Sequence, residues 1–309
     1  MLKSNERGWR KDGGILEIRD AEQGSAVKIV GVKDFYLPHI FECGQCFRWN
    51  RQEDGSYIGV AKGKILHIEQ REDELILHNS SIDDFHTIWM PYFDLARDYG
   101  RIKKILSQEN EILKEAVAYG WGMRILKQDI WEMLISFIIS ANRSMRMIQK
   151  SITLLCEKYG EYIGIYQGQR YYDFPKAEVL MRQSPETIRN VTRVGYRSPY
   201  IVGTAKMVAE GKIDLCQLES LSTKDARREL MRLPGVGPKV ADCILLFALG
   251  KQDAFPVDVW IRRAMENLYF AGKETPPKQL CRYGEEKFGD LAGFAQQYLF
   301  YYVRDLKVW

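Results

Sequence analysis

Short apolar runs separated by polar turns dominate the first quarter of the chain. Ala26-Val-Lys-Ile-Val-Gly-Val32 is β-branched and brief. Cys46-Phe-Arg-Trp-Asn50 alternates and leads to Asp54-Gly55, a hairpin signal. Tyr57-Ile-Gly-Val60, Ile65-Leu-His-Ile68 and Glu74-Leu-Ile-Leu77 follow, with Lys62-Gly-Lys64 and Arg71-Glu-Asp-Glu74 between them. This spacing predicts an antiparallel meander. Helical patterning begins near Ile82, and from about Lys127 the chain reads as helices.

Those helices carry start and stop signals. Asp129 to Ile139 is almost wholly apolar, which predicts a helix buried on most sides. Ser144 opens a helix with Met145, Ile148, Ile152 and Leu155 on one face, ending at Gly160. Ser184-Pro185 starts another that Gly195 stops, and Ser198-Pro199 repeats the signal with Gly211 as its stop. Ser222-Thr-Lys-Asp225 is a variant capping box for a helix running to Arg232. Pro238 starts the next, which ends at Gly250; Asp258 can cap another; the last helices run from about Pro277 to Leu306. The fold class is α+β, a small antiparallel sheet followed by a helical body. The domains are residues 1–123 and 124–309.

Composition narrows the function classes. The chain has 309 residues, 46% hydrophobic and 28% charged, as a globular protein with a sizeable core would. A net charge of +4 is only mildly basic, so any nucleic-acid contact must come from a local face. No apolar run reaches the ~20 residues that span a bilayer. Met1-Leu-Lys-Ser-Asn-Glu-Arg7 lacks the apolar stretch of a secretory leader. Cys43-Gly-Gln-Cys46 is a lone C-x-x-C, and Cys156, Cys216, Cys243 and Cys281 are scattered. That pattern holds neither a zinc ion nor an iron–sulfur cluster and points to reduced thiols in a cytoplasmic protein. A monomer is expected.

The chemistry concentrates in Leu233-Pro-Gly-Val-Gly-Pro-Lys239-Val-Ala-Asp242 and in Pro256-Val-Asp258-Val-Trp260. Helix, glycine turn, helix is a helix-hairpin-helix. Gly235 and Gly237 permit close backbone approach, and the turn aims N–H groups outward at a helix N-terminus. A DNA phosphate fits there without its sequence being read. The backbone carbonyls of Arg232, Leu233 and Val236 could hold a monovalent or calcium ion; an ordinary Gly-Pro turn would look the same. Lys239 lies in the first turn of the second helix. A cation there is electrostatically misplaced by about 0.3–1 kcal/mol, which has the sign that favours a nucleophilic amine. Lysines at such positions are otherwise solvated surface groups. Asp258 reads equally as a plain N-cap, and capping is compatible with catalysis because a capping carboxylate is fixed.

Hairpin, Lys239 and Asp258 together resemble the helix-hairpin-helix DNA glycosylase superfamily, and most closely its 8-oxoguanine DNA glycosylase/AP lyase family. Resemblance extends to Gly44-Gln-Cys-Phe-Arg-Trp49, Ser136-Phe-Ile-Ile-Ser-Ala-Asn142, Gly195-Tyr-Arg197 and Ala292-Gly-Phe-Ala-Gln296. It covers the chain from about residue 30 onward, in the family's order. It implies a TBP-like N-terminal antiparallel domain and a helical catalytic body. The partner it implies is double-stranded DNA containing 8-oxoguanine, with no membrane and no required cofactor. Lys239 would attack C1′ of the flipped nucleotide, and a Schiff base and β-elimination would follow. Asp258 would stabilise charge on the sugar.

Gly44 matches the glycine whose carbonyl accepts the N7–H of 8-oxoguanine. Gln296 matches the reader of the Watson–Crick edge, Phe300 the stacking aromatic, and Cys243 the residue opposing it. Asn142, Tyr196 and Arg197 match residues that fill the gap and engage the estranged base. Gly235, Gly237 and Val240 fall on the phosphate-binding hairpin. Two positions depart from the better-known eukaryotic pattern. Trp260 replaces a histidine, and Met147 replaces an arginine that tests for an opposite cytosine, which predicts weak opposite-base preference. Arg189, Arg193 and Arg197, with Arg227, Arg228 and Arg232, read as a basic face, although such runs are often just solvated. Two other classes share the hairpin. An alkylated-base glycosylase of the same superfamily generally lacks the lysine, and a non-enzymatic phosphate clamp would need neither Lys239 nor Asp258.

Overall fold

The computed structural model describes residues 7–11, 14–21 and 25–307. Met1–Glu6, where the leader was sought, lies outside the described residues. The chain divides into two compact units, residues 1–127 and 128–309.

The first unit is built on a seven-stranded antiparallel sheet in the order β1-β2-β3-β7-β6-β5-β4. Its strands are β1 (Arg7–Lys11), β2 (Gly14–Ala21), β3 (Ala26–Val30), β4 (Trp49–Arg51), β5 (Tyr57–Ala61), β6 (Lys64–Arg71) and β7 (Glu74–His78). The meander β4 to β7 matches the sequence expectation, and β7 turns back to pair with β3. The same unit holds α1 (Leu37–Phe41), α2 (Ile82–Asp84), α3 (Met90–Tyr92), α4 (Tyr99–Leu106) and α5 (Glu111–Tyr119). Val27, Ile29, Leu66, Ile68, Leu75 and Leu77 of the sheet meet Phe35, Ile40, Phe41, Trp89 and Phe93 in one buried cluster. The expected strand Cys46–Asn50 is mostly loop, and only Trp49 onward is extended. Cys46 and Phe47 are buried by packing ahead of the ladder, which begins at Trp49 opposite Gly59.

The second unit holds α6 (Ile130–Ser140), α7 (Met145–Tyr159), α8 (Ala177–Leu180), α9 (Pro185–Thr192), α10 (Ser198–Ala209) and α11 (Thr223–Leu230). These are followed by α12 (Pro238–Phe247), α13 (Val259–Tyr269), α14 (Pro277–Phe288) and α15 (Ala292–Leu306). Asp129 caps α6 by accepting the Glu132 N–H at 2.9 Å, and all seven residues Met133 to Ile139 are buried, as the apolar run required. Ser184 and Ser222 cap α9 and α11 as expected. Two sequence expectations fail here. The all-helical reading misses a hairpin of β8 (Tyr162–Tyr166) and β9 (Gln169–Tyr172), turned by Gln167 and Gly168 at φ +46° and +77°. Two consecutive positive φ values are the mirror-image turn that suits strand twist. Gly195 does not stop α9. The left-handed cap is Arg193 at φ +57°, and Gly195 opens a single 3-10 turn, Gly195–Arg197.

Candidate active site

The hairpin between α11 and α12 is held by its apolar residues. Leu233 and Val236 are buried, and the Val236 N–H donates to the Leu233 carbonyl at 3.2 Å. From α10, the Thr204 hydroxyl donates to the Pro234 carbonyl at 2.9 Å. Gly235 has φ +78°, and a Cβ there would lie 2.8 Å from Cβ of Tyr200, so both conformation and space demand glycine. Gly237 faces open space and caps α12 with no side-chain bond. The first-turn N–H groups of α12 have no intrahelical acceptor and sit at the positive end of the helix dipole.

α12 is anchored from its buried side. Arg227 of α11 donates from Nε to Asp242 Oδ1 at 2.5 Å and also binds Glu285 of α14. Cys281 donates its thiol to Asp242 Oδ2 at 3.6 Å. Burial pushes the Asp242 carboxyl up to about 6 against the pull of Arg227. The network ties three helices together just behind Lys239.

The half-buried Lys239 Nζ lies 5.2 Å from the ring centroid of Phe137. One turn on, burial pushes the Cys243 thiol up to about 11, against the pull of the Lys239 charge. Asp258 caps α13, with Oδ1 accepting the Trp260 and Ile261 N–H groups at 3.0 and 2.9 Å. The cap uses one carboxylate oxygen and does not consume the other. Burial raises the Asp258 pKa; the two N–H bonds and the charges of Lys239 and Arg304 oppose it. The charges of Lys239 and Asp258 each act on Cys243, and that of Lys239 acts on Asp258. Arg304 reaches it from α15, its guanidinium 5.2 Å from the Phe300 ring centroid. Gln296, on the same helix, is 4% exposed, and among the described residues its side-chain oxygen has no hydrogen-bond partner. A buried acceptor left unpaired is costly unless something else binds it. Trp260 is half-buried, with the Arg263 guanidinium 5.8 Å from its ring.

A second group of site candidates sits where α6 leads to α7 and α9 to α10. Asn142 takes a left-handed φ of +52°. Met147 and Tyr196 are 52% and 59% exposed. Arg197, by contrast, is 6% exposed, and it donates to the carbonyls of Val194 and Ala141. It therefore does not belong to a solvated basic row. In the run before the hairpin, Arg227 is spent within the protein on Asp242 and Glu285, whereas Arg228 and Arg232 stay more than half exposed in surface pairs with Asp225 and Glu229.

Gly44 belongs to the first unit, at φ +89° just after α1. Beside it is a residue that sequence reading passed over. Gln45 is fully buried, donates to the Ile40 and Arg124 carbonyls at 2.9 and 2.7 Å, and accepts the Leu126 N–H at 2.9 Å. It fixes the backbone on which the Gly44 carbonyl stands. Asp242 is passed over as well, because what marks it is Arg227 on another helix. The Cys43 and Cys46 thiols point to the Ile40 and Phe41 carbonyls. Among the described residues no His/Cys/Asp/Glu group could hold a metal, and no helix is long and apolar enough to cross a membrane.

Fold and site together are those of a base-excision repair protein. Residues 135–289 match the family model of the HhH-GPD superfamily base excision DNA repair proteins, and residues 28–134 match that of the 8-oxoguanine DNA glycosylase N-terminal domain. A solved structure of MBOgg1 in complex with a low-affinity DNA ligand is 46% identical, with a TM-score of 0.90 over 99% of this chain and 100% of that one. The Clostridium acetobutylicum 8-oxoguanine glycosylase/lyase, in complex with double-stranded DNA containing cytosine opposite 8-oxoG, is 42% identical. Its TM-score is 0.90 over 96% of this chain and 100% of that one. A probable N-glycosylase/DNA lyase of Methanothermobacter thermautotrophicus is 33% identical over 69% of this chain and 72% of its own length. The chain belongs to the 8-oxoguanine DNA glycosylase family of the HhH-GPD superfamily and is an N-glycosylase/DNA lyase acting in base excision repair.

Proposed function

We propose that this enzyme extrudes 8-oxoguanine from double-stranded DNA and excises it with Lys239 as the nucleophile. The amine attacks C1′, the C1′–N9 bond breaks, and the base leaves with the bond's electron pair. Loss of the ring oxygen bond gives a Schiff base between Nζ and C1′, and abstraction of a C2′ proton then expels the 3′ phosphate by β-elimination. Asp258, fixed by its capping bonds, stabilises positive charge on the sugar and takes up a proton from the amine. What supports this reading is geometry: Lys239 opens α12 just after the tight Gly235 turn, 5.2 Å from the Phe137 ring, and Asp258 is fixed at the start of α13 with its charge within reach of the amine. Gly44 would accept the lesion's N7–H, which normal guanine lacks. Gln296, with its unpaired buried oxygen, would read the base edge, and Phe300 and Cys243 would line its faces. Borohydride added during reaction with an 8-oxoguanine duplex is expected to trap a covalent adduct that vanishes in Lys239→Gln. Base release without an adduct would favour an alkylated-base type of chemistry, and neither release nor adduct would favour a simple phosphate clamp.

Met147 stands, half-exposed, where an arginine would test the opposite base, and a thioether cannot donate to cytosine. Rates on 8-oxoguanine paired with C and with A are expected to agree within about threefold, a difference of well under 1 kcal/mol. Strong cytosine selectivity would overturn that assignment. A cation at the hairpin would rest on the Arg232, Leu233 and Val236 carbonyls. Neutral carbonyls suit a monovalent ion better than calcium, which draws on carboxylates.

A further inference from the structure

Two helix ends meet in the region that carries Asn142 and Tyr196. α6 ends at Ser140, and Ala141 follows it out of helical geometry at φ −53°, ψ 117°. α9 ends at Thr192, with Arg193 in the left-handed region at φ +57°. Terminal carbonyls of helices lack intrahelical donors and carry the negative end of the helix dipole. Each of these two ends is met by an arginine from the other segment. Arg197 Nη2 donates to the Ala141 carbonyl, and Arg143 Nη1 donates to the Arg193 carbonyl at 3.1 Å. Arg197 also donates to Val194 at 3.2 Å, and its guanidinium lies 4.3 Å from the Tyr196 ring centroid. Among the described residues neither arginine is paired with a carboxylate, and each sits close enough to oppose the other's charge. The two helix ends provide the compensation that an acid would otherwise give. Asn142, Met147 and Tyr196 beside them are exposed.

We propose that Arg143 and Arg197 form a reciprocal brace joining the two segments, so that Asn142 and Tyr196 are presented as one pre-formed wedge. On this inference Arg143 is a positioning residue for base extrusion; it rests on the reading above that the enzyme acts on a flipped nucleotide. A wedge that is already ordered need not lose conformational entropy when the duplex opens, and an unbraced pair of loops must. The left-handed backbone of Asn142 adds to the need for support from outside its own segment.

Hydrogen exchange of the free protein tests the brace without reference to activity. Arg143→Ala is expected to speed exchange in residues 193–197, across the brace, while the amides of α12 stay as in wild type. Unchanged exchange in 193–197 would overturn the brace. With DNA, Arg143→Ala is expected to slow single-turnover base release about tenfold on a fully paired 8-oxoguanine duplex, the effect of losing one charge-assisted bond. The deficit should shrink to less than about twofold when the lesion sits in a short mismatched bubble, where extrusion is already cheap. Arg143→Lys, which keeps the charge and a donor, should recover most of the rate. An equal loss on bubble and duplex, or none on the duplex, would overturn the positioning role. A wild-type protein inert on 8-oxoguanine, with the exchange result intact, would instead overturn the function proposed above and leave the brace standing.

Discussion

A carboxylate that caps a helix is held in place before any substrate arrives, and Asp258 is held by two N–H bonds to a single oxygen. Its burial makes ionisation costly, so its pKa in the folded protein lies above the ordinary carboxylate value. The sign of the stability effect follows. The cost of ionising Asp258 is absent below the ordinary value of about 4, grows as pH rises through the folded pKa, and is fully present above it. Asparagine caps as well as aspartate and carries no charge. Asp258→Asn should therefore unfold no earlier than wild type at neutral pH while releasing base on the order of 100-fold more slowly or worse. Thermal unfolding and single-turnover kinetics check the two halves. Unchanged turnover would remove Asp258 from the chemistry. In the wild type, the acid limb of the excision rate should fall above the pH at which an ordinary solvated carboxylate titrates.

At the scale of elements, the two hairpin glycines separate by what surrounds them. Gly235 combines a positive φ with Tyr200 packed against it, so Gly235→Ala should cost about 1–3 kcal/mol from the backbone conformation alone. Gly237 has an ordinary backbone and open space, so Gly237→Ala should cost less than about 1 kcal/mol, the loss expected for alanine at an N-cap. Denaturant unfolding of both variants checks the contrast; equal losses would overturn the left-handed conformation and close packing assigned to Gly235. The same packing explains why the hairpin was legible. Pro, Gly and the capping serines act within a few residues of themselves, and Asp129, Ser184, Ser222 and Asp258 all cap the helices that begin beside them. The β8–β9 hairpin went unread because its strands are short and its turn is Gln167-Gly168 rather than an Asn-Gly or Asp-Gly pair.

For the molecule as a whole, the mild net charge of +4 places the burden of DNA affinity on a few phosphate contacts. Affinity for a lesion duplex should fall on the order of tenfold or more between 50 and 200 mM salt; salt-independent binding would contradict the phosphate role of the hairpin. Arg227 should add little to that slope, because Asp242 and Glu285 already pair it in the interior. The sequence by itself determined the α+β order, the start of most helices, the hairpin, and the lysine and carboxylate beside it. These follow from local rules, in which a residue's type acts on its own backbone and on neighbours one turn away. Tertiary structure alone decided which charges are spent and which remain. It buried Arg197, paired Arg227, left the Gln296 oxygen without a partner, and joined Arg143 to a helix end fifty residues on. Burial and pairing depend on what the chain brings back from a distance, and a linear reading carries no measure of that.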